Sequence, residues 1–178
     1  MLPVTLVNQL LALGTIFAQV AIVVIILALL APKTAFGKVV LRFLSKKAMF
    51  LAFLASFTGV VGSLYYSEFI GYEPCKLCWY QRVFLYPQAI LLAIGLIKKH
   101  PHVADSCILF STIGVLIAGY QSLLQLGFAP NIPCSASGVS CNQIFVMQYG
   151  YITIPVMALT AFLLIIVLLL AAKAGKED

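Results

Sequence analysis

Five cysteines are the residues of this chain whose type and spacing could support redox chemistry. Two residues separate Cys75 from Cys78, six separate Cys134 from Cys141, and Cys107 stands alone. Paired cysteines can pass two electrons between a dithiol and a disulfide by thiolate exchange. An even set of four on an oxidising side of a membrane favours two disulfides. The spacing therefore predicts two redox-active pairs, provided that both pairs face such a compartment.

The first pair has the local sequence of a reactive site. Pro74 suits the start of a helix, so we expect Cys75 and Cys78 on one face of the first turn. The positive end of the helix dipole, together with Lys76 and Arg82, favours the reactive thiolate. Because a two-residue gap constrains the unfolded chain very little, a redox role is favoured over a static disulfide.

The second pair encloses a short segment rich in serine and glycine. An exposed disulfide in such a loop is labile and exchangeable, although a simple loop staple is the alternative. A zinc site made from the four paired cysteines is disfavoured by their spacing, and we predict no metal. The lone Cys107 lies within an apolar segment and is expected to fill space in the core.

The elements that must position these cysteines are membrane helices. The 178 residues are 63% hydrophobic and 9% charged, with a mean hydropathy of +1.10, whereas about a quarter of a soluble domain is charged. Five apolar stretches can span a bilayer, which takes about 20 helical residues. They cover about 10–30, 48–70, 78–97, 103–126 and 151–172. The composition predicts an all-α membrane protein.

The basic residues predict its orientation. Nine of the eleven lie beside three segment ends that share one side, namely Lys33, Lys38, Arg42, Lys46, Lys47, Lys98, Lys99, Lys173 and Lys176. That side is expected to be the cytoplasm, which puts the N-terminus outside, the C-terminus inside and both cysteine pairs outside the cytoplasmic membrane. The net charge of +6 comes from these short clusters, so no nucleic-acid partner is expected.

These boundaries divide the chain into three predicted parts. Residues 1–47 form an extra N-terminal helix and a basic cytoplasmic loop, residues 48–172 form a four-helix redox core, and residues 173–178 form a cytoplasmic tail. Two outward loops, 71–77 and 127–150, belong to the core. The first span lacks a basic segment before it and is expected to stay uncleaved.

Polar side chains near the outer ends of the spans are candidates for binding a cofactor. Arg82 lies about one turn beyond Cys78, at a depth where a charge is costly and is often functional, although it can also reach the headgroups. Gln81 follows the first pair, and Gln121 and Gln125 end the fourth span. These amides can bond to a quinone carbonyl or to other helices.

The run Cys75-Lys76-Leu77-Cys78-Trp79-Tyr80-Gln81-Arg82 resembles the Cys-x-x-Cys-x-Tyr-x-Arg signature of the disulfide bond formation protein DsbB family. The short second loop and the run Ile152-Thr153-Ile154-Pro155 look closer to its BdbC-like branch. The similarity covers about residues 49–172, so the first span lies outside the usual four-helix core. The resemblance thus implies a four-helix transmembrane bundle plus one extra N-terminal transmembrane helix.

The resemblance also implies an activity. Members bind a quinone, ubiquinone or menaquinone, near the outer surface and reoxidise a DsbA-like thiol oxidase of the thioredoxin fold, in the relay that supports disulfide formation outside the cytoplasm. By motif position, Cys78 is the sulfur nearest the quinone and Arg82 assists the quinone, with Gln81 as a second cofactor-binding candidate.

Roles for the other cysteines follow from the same resemblance. Cys75 exchanges disulfides with the loop pair. By order along the chain, Cys134 takes the mixed disulfide with the partner and Cys141 resolves it toward Cys75. Because the second loop is short, this exchange requires the two loops to pack closely.

Two alternatives to a thiol:quinone oxidoreductase remain at this point. One is a vitamin K epoxide reductase-like enzyme, which also couples a Cys-x-x-Cys pair to a quinone, although there the pair belongs to a late helix. The other is a membrane scaffold without enzymatic activity, in which both disulfides are structural.

Overall fold

The computed structural model describes the backbone of residues 4–98, 102–128 and 140–177, with side chains as far as Gly175. Its α-helices are α1 (Val4–Leu30), α2 (Ala35–Leu64), α3 (Lys76–Lys98), α4 (Val103–Gln125) and α5 (Ile154–Glu177). Within these ranges the only β-structure is an isolated bridge between Gln148 and Ile152. All five helices are long and apolar enough to cross a membrane. The predicted all-α class is confirmed, and the chain is a multi-pass membrane protein.

Helices α2 to α5 form a four-helix bundle, because α2 and α4 each contact both α3 and α5. Small side chains on α2 let the helices approach closely, and Ala48, Ala52 and Ser56 are buried on one face. In the centre, a Cβ atom added to Gly114 would lie 2.5 Å from the ring of Phe162. The α4 backbone is therefore packed directly against an aromatic ring of α5.

Helix α1 packs against α2 and α5 from outside the bundle. The Tyr66 hydroxyl donates to Asn8 Oδ1 at 2.9 Å. Deeper along the helix, Gln19 Nε2 donates to Thr160 Oγ1 at 3.3 Å, and the Tyr151 hydroxyl donates to Gln19 Oε1 at 2.8 Å. Hydrogen bonds between helices fix their rotation in an apolar solvent, so α1 is docked in one orientation.

The basic segment between the first two spans is largely helical, and our expectation of a loop there was wrong. The backbone N–H of Gly37 donates to the Thr34 hydroxyl at 3.1 Å, so Thr34 caps a helix that begins at Ala35. Lysine and arginine are good helix formers, and Lys38 and Arg42 therefore lie within α2. Hydropathy missed this start because it marks the apolar part of a helix and not the whole helix.

The other end of α2 changes its winding before the chain turns. Residues Tyr65–Phe69 form a π-helical turn, and the N–H of Ile70 donates to Tyr65 O at 3.2 Å. Gly71 follows with φ +79°, a left-handed conformation that glycine adopts at low cost. The turn directs the chain into the first outer loop, toward the start of α3.

The two outer loops pack on one another through aromatic rings. Tyr72 of the first loop stacks on Tyr66 with 6.0 Å between ring centroids and on Phe145 of the second loop with 4.8 Å. Val146 and Ile152 beside this stack are buried. The close packing of the two loops that disulfide exchange requires is therefore present.

Candidate active site

The first cysteine pair lies where α3 begins. The helix starts at Lys76, so Cys75 immediately precedes it and does not lie in the first turn as predicted. The sulfurs of Cys75 and Cys78 are 3.1 Å apart, and both residues are free thiols. The backbone N–H groups of Leu77 and Cys78 donate to the Cys75 sulfur. Cys75 thus occupies the position of a helix-capping residue, with sulfur as the acceptor.

This environment lowers the pKa of Cys75 from its ordinary value of 9.0 to about 6. The largest cause is the hydrogen bond that it shares with the Cys78 thiol, and burial opposes the shift. The backbone N–H groups of Cys78 and Leu77 and the amide of Gln121 lower the pKa further. Cys75 is therefore largely a thiolate at neutral pH, which is the nucleophilic form.

Gln121 of α4 connects the parts of the site. Its Nε2 lies 3.3 Å from the Cys75 sulfur and 3.4 Å from the Cys78 sulfur. The same nitrogen lies 3.4 Å from the carbonyl oxygen of Cys141, in the second loop. Gln81 Nε2 donates to Gln121 Oε1 at 2.7 Å and so turns the amide nitrogen toward the sulfurs. With 2% of its surface exposed, Gln121 is shielded from competing water.

The second loop brings a disulfide to the first pair. Cys141 is disulfide-bonded and 1% exposed, and it packs in one buried cluster with Cys75 and Leu124. Cys134 lies outside the described residues, so its pairing with Cys141 stays a prediction. The structure therefore brings three of the four predicted cysteines together, whereas Cys107 is a buried free thiol in the helical core.

Arg82 is held against the end of α2. Its Nε donates to Ser63 Oγ at 2.9 Å, and its Nη2 donates to Ser63 O at 3.1 Å. The guanidinium carbon lies 5.2 Å from the centroid of the Trp79 ring, within cation–π range. Tyr86 also donates to Ser63 Oγ, at 3.2 Å. Arg82 is therefore anchored to the end of α2.

A cavity of about 870 Å³ opens beside Cys78 and Arg82 and extends between α1, α2 and α5. Glu73 and Arg82 are the only charged side chains among the described residues that line it. The hydroxyls of Thr15 and Thr160 bond to carbonyls of their own helices, at 2.8 and 2.9 Å. Beyond its mouth the cavity is therefore apolar, and its volume is at the upper end of the roughly 300–1,000 Å³ common for cofactor sites.

The sequence identified most of these residues but not the hydrogen bonds between them. Gln81 is 6% exposed and lines the cavity, yet its described hydrogen bond orients Gln121. The contact between Gln121 and both sulfurs was missed, although an amide at the outer end of an apolar helix was a signal for it. Ser63 was not identified at all, because a serine in a membrane helix is common. The roles of Arg82 and Gln81 toward a cofactor stay predictions.

Comparison with known proteins gives consistent matches. The family model described as Disulfide bond formation protein DsbB matches residues 45–172. The SPbeta prophage-derived disulfide bond formation protein B of Bacillus subtilis (strain 168) is 42% identical over 137 residues, which cover 75% of this chain and 93% of that protein. Disulfide bond formation protein C of the same strain is 35% identical over 132 residues, covering 73% and 95%. No solved structure gives a significant match.

A third relative, the probable disulfide formation protein of Oceanobacillus iheyensis, is 40% identical over 141 residues, covering 75% of this chain and 97% of that protein. These matches include the cysteine pair of α3, and they confirm the resemblance that the motif indicated. The chain belongs to the disulfide bond formation protein DsbB family and is a membrane oxidoreductase with a role in disulfide formation.

Proposed function

We propose that the protein is a thiol:quinone oxidoreductase that reoxidises an extracytoplasmic, DsbA-like thiol oxidase and passes the electrons to a quinone, ubiquinone or menaquinone. One observation carries the proposal: the free thiol pair lies between a disulfide and an apolar cavity. Cys75 packs against disulfide-bonded Cys141, and Cys78 lines the cavity. A dithiol in this position can receive electrons from the loop disulfide and pass them to an acceptor in the cavity.

The cavity fits a quinone in its chemistry. A quinone has a polar ring and a long apolar tail, and the cavity has charged groups at its mouth with apolar walls beyond. A bound quinone supplies the electron acceptor, since it takes up two electrons and two protons to become a quinol. Arg82 would hold the ring at the mouth, where its fixed positive charge favours the reduced, anionic form. Cys78 would lie beside the ring because Cys78 and Arg82 both line the mouth of the cavity.

Electrons enter through the second loop. The reduced partner attacks the disulfide that contains Cys141, and the partner becomes oxidised as this disulfide opens. Cys141 is 1% exposed, so we assign the mixed disulfide to Cys134 and the release of a thiolate to Cys141. That thiolate then attacks Cys75 of an oxidised Cys75–Cys78 pair and releases the Cys78 thiolate. Once the partner's second thiol has displaced Cys134 from the mixed disulfide, the Cys134 thiolate attacks Cys141, which restores the loop disulfide and leaves both α3 cysteines reduced.

The α3 pair then returns to its disulfide. The Cys75 thiolate attacks the Cys78 sulfur to form the S–S bond, and the two electrons and two protons of the dithiol would leave to the quinone beside Cys78. A Cys75 pKa of about 6 keeps this nucleophile charged at neutral pH. One dithiol is oxidised for each acceptor reduced, so electrons and protons balance over the cycle.

The distribution of charge supports the proposed orientation in the cytoplasmic membrane. The cysteine pair lies at the end of the bundle where α2 ends and α3 begins, whereas Lys38, Arg42 and Lys98 lie toward the opposite end. Basic residues are enriched on the cytoplasmic side of membrane proteins. The N-terminus and both cysteine pairs would then face outward.

Thiol trapping during turnover tests this function. We expect Cys75 and Cys78 to be oxidised when purified protein is supplied with quinone, and reduced when a reduced DsbA-like partner is added without quinone. The quinone drives the pair to the disulfide because it removes two electrons. Trapping with a maleimide of large mass, followed by gel electrophoresis, reports the state of each cysteine.

Cys107 is the internal control, since it is buried away from both pairs and should not change. A scaffold with structural disulfides would give a pattern independent of quinone and partner. Trapping in intact cells with a membrane-impermeant maleimide tests the orientation, and reaction of the opened pairs only after the cells are lysed would contradict it. Membership of the DsbB family already favours this proposal over the vitamin K epoxide reductase-like alternative.

Arg82→Ala should raise the apparent KM for quinone by about tenfold or more, because a hydrogen bond to a charged group contributes roughly 1.5–3 kcal/mol. Steady-state quinone reduction at saturating partner measures this effect. Lys76→Ala is the matched control, as Lys76 is a cation beside the same pair but is exposed and does not line the cavity. Equal quinone kinetics in Arg82→Ala and the parent protein would remove Arg82 from the binding site.

A further inference from the structure

The structure assigns a function to α1: we propose that this helix forms the outer wall of a chamber that encloses the polyprenyl tail of the quinone. The chamber is the part of the 870 Å³ cavity that lies beyond its mouth, between α1, α2 and α5. The inference rests on the proposed quinone chemistry. It extends that chemistry to a helix outside the region that the family model matches, which begins at residue 45.

The chamber is long in the direction of the helices. On α1 its lining runs from Leu10 to Ile25, which is roughly 22 Å at 1.5 Å per residue. Its far end lies near Val39 of α2 and Leu168 of α5, and its mouth holds Cys78 and Arg82. A narrow apolar space that starts at the redox pair matches a molecule with a reactive ring at one end and a long hydrocarbon tail.

The face of α1 toward the chamber carries small side chains. Gly14, Ala18 and Ala21 recur at helical spacing and all line it. No heavy atom lies within 4 Å of the position that a Cβ on Gly14 would take. Glycine costs about 1 kcal/mol relative to alanine in a helix interior, and at Gly14 no neighbouring helix requires its small size. The open volume beside Gly14 is instead available for a ligand.

The wall is held firmly enough to enclose a tail. Asn8 accepts from Tyr66 near the mouth, and Gln19 bonds to both Thr160 and Tyr151 further along. Asn8 lies just before the chamber-lining stretch of α1 and Gln19 lies within it, so these bonds fix the rotation that points Gly14 and Ala18 inward. A helix docked in this way would line the tail along one side, so α1 should make quinone binding depend on the tail.

The test compares two quinones that share one ring. Gly14→Phe and Ala18→Phe place a large side chain in the chamber, whereas Val20→Phe adds the same ring to the outer face, where Val20 is 58% exposed and does not line the chamber. We expect each wall variant to raise the KM for a long-tailed quinone about tenfold more than the KM for its tailless analogue. Val20→Phe should change the two KM values equally or not at all.

A second measurement counts quinone extracted with organic solvent from the purified proteins. The parent protein and Val20→Phe should retain long-tailed quinone, and Gly14→Phe should lose most of it. Equal retention in all three proteins, or phospholipid as the only extracted occupant, would overturn the role of α1. This outcome differs from failure of the proposed function. The proposed function fails only if the parent protein reduces neither the long-tailed quinone nor its tailless analogue.

Discussion

Cys78→Ser abolishes oxidation of the partner, with an expected loss of at least roughly 10³-fold, since removing a covalent nucleophile can cost as much as about 10⁶-fold. Cys78 lies 3.1 Å from the Cys75 sulfur and lines the cavity. A serine hydroxyl can neither form the disulfide nor pass electrons to a quinone. The measurement is the rate at which reduced DsbA-like partner is oxidised in the presence of quinone.

Cys107→Ser is the matched control for this variant. Cys107 is also a free cysteine, but it is buried in the helical core, in a different cluster from Cys75, Cys78 and Cys141. We expect the Cys107→Ser protein to retain partner oxidation, so loss of activity in Cys78→Ser cannot be attributed to removal of a thiol in general. A fully active Cys78→Ser protein would refute the electron path through α3.

Gln121→Leu should slow partner oxidation by about 10- to 100-fold and raise the pKa of Cys75 slightly above about 6, since the Gln121 amide is the smallest of the causes that lower it. Gln121 Nε2 lies within 3.4 Å of both sulfurs. A hydrogen bond to a charged group contributes roughly 1.5–3 kcal/mol, and each 1.4 kcal/mol is about tenfold in rate. Leucine keeps the volume but removes the donor. Turnover and the pH dependence of thiolate absorbance measure the two effects.

Gln125→Leu is the control for this second prediction. Gln125 lies one turn further along α4, and its Nε2 donates to Gln143 O at 3.1 Å instead of to a cysteine. Its replacement should leave the thiolate titration in place. If Gln121→Leu titrates and turns over as the parent protein does, the amide is a packing group and not a stabiliser of the thiolate.

The sequence predicted the helices and the reactive pair because both depend on local patterns. A bilayer needs about 20 consecutive apolar residues, and the runs that contain Phe162 or Leu116 satisfy this without reference to the rest of the chain. The pair is likewise contiguous, and its position at the start of a helix follows from neighbouring residues. The helix begins at Lys76, only two residues after the start that Pro74 predicted.

Features that depend on contacts between helices were not predictable in this way. Nothing near Gln121 in the sequence indicates that its amide meets cysteines 43 and 46 residues earlier. Ser63 became an anchor for Arg82 because α2 and α3 pack side by side. The start of α2 was hidden for another reason, since charged residues such as Lys38 lower the hydropathy of a helix without ending it.

Burial of Cys141 has a consequence for selectivity among thiols in the surrounding medium. The residue is 1% exposed and packs in one buried cluster with Cys75 and Leu124. Small soluble thiols that diffuse past this junction have no direct access to either sulfur. In the proposed relay, electrons would then enter through a partner that docks on the second loop and not by direct attack of a small thiol on Cys141. Burial thereby shields these two sulfurs from the redox state of the surrounding medium.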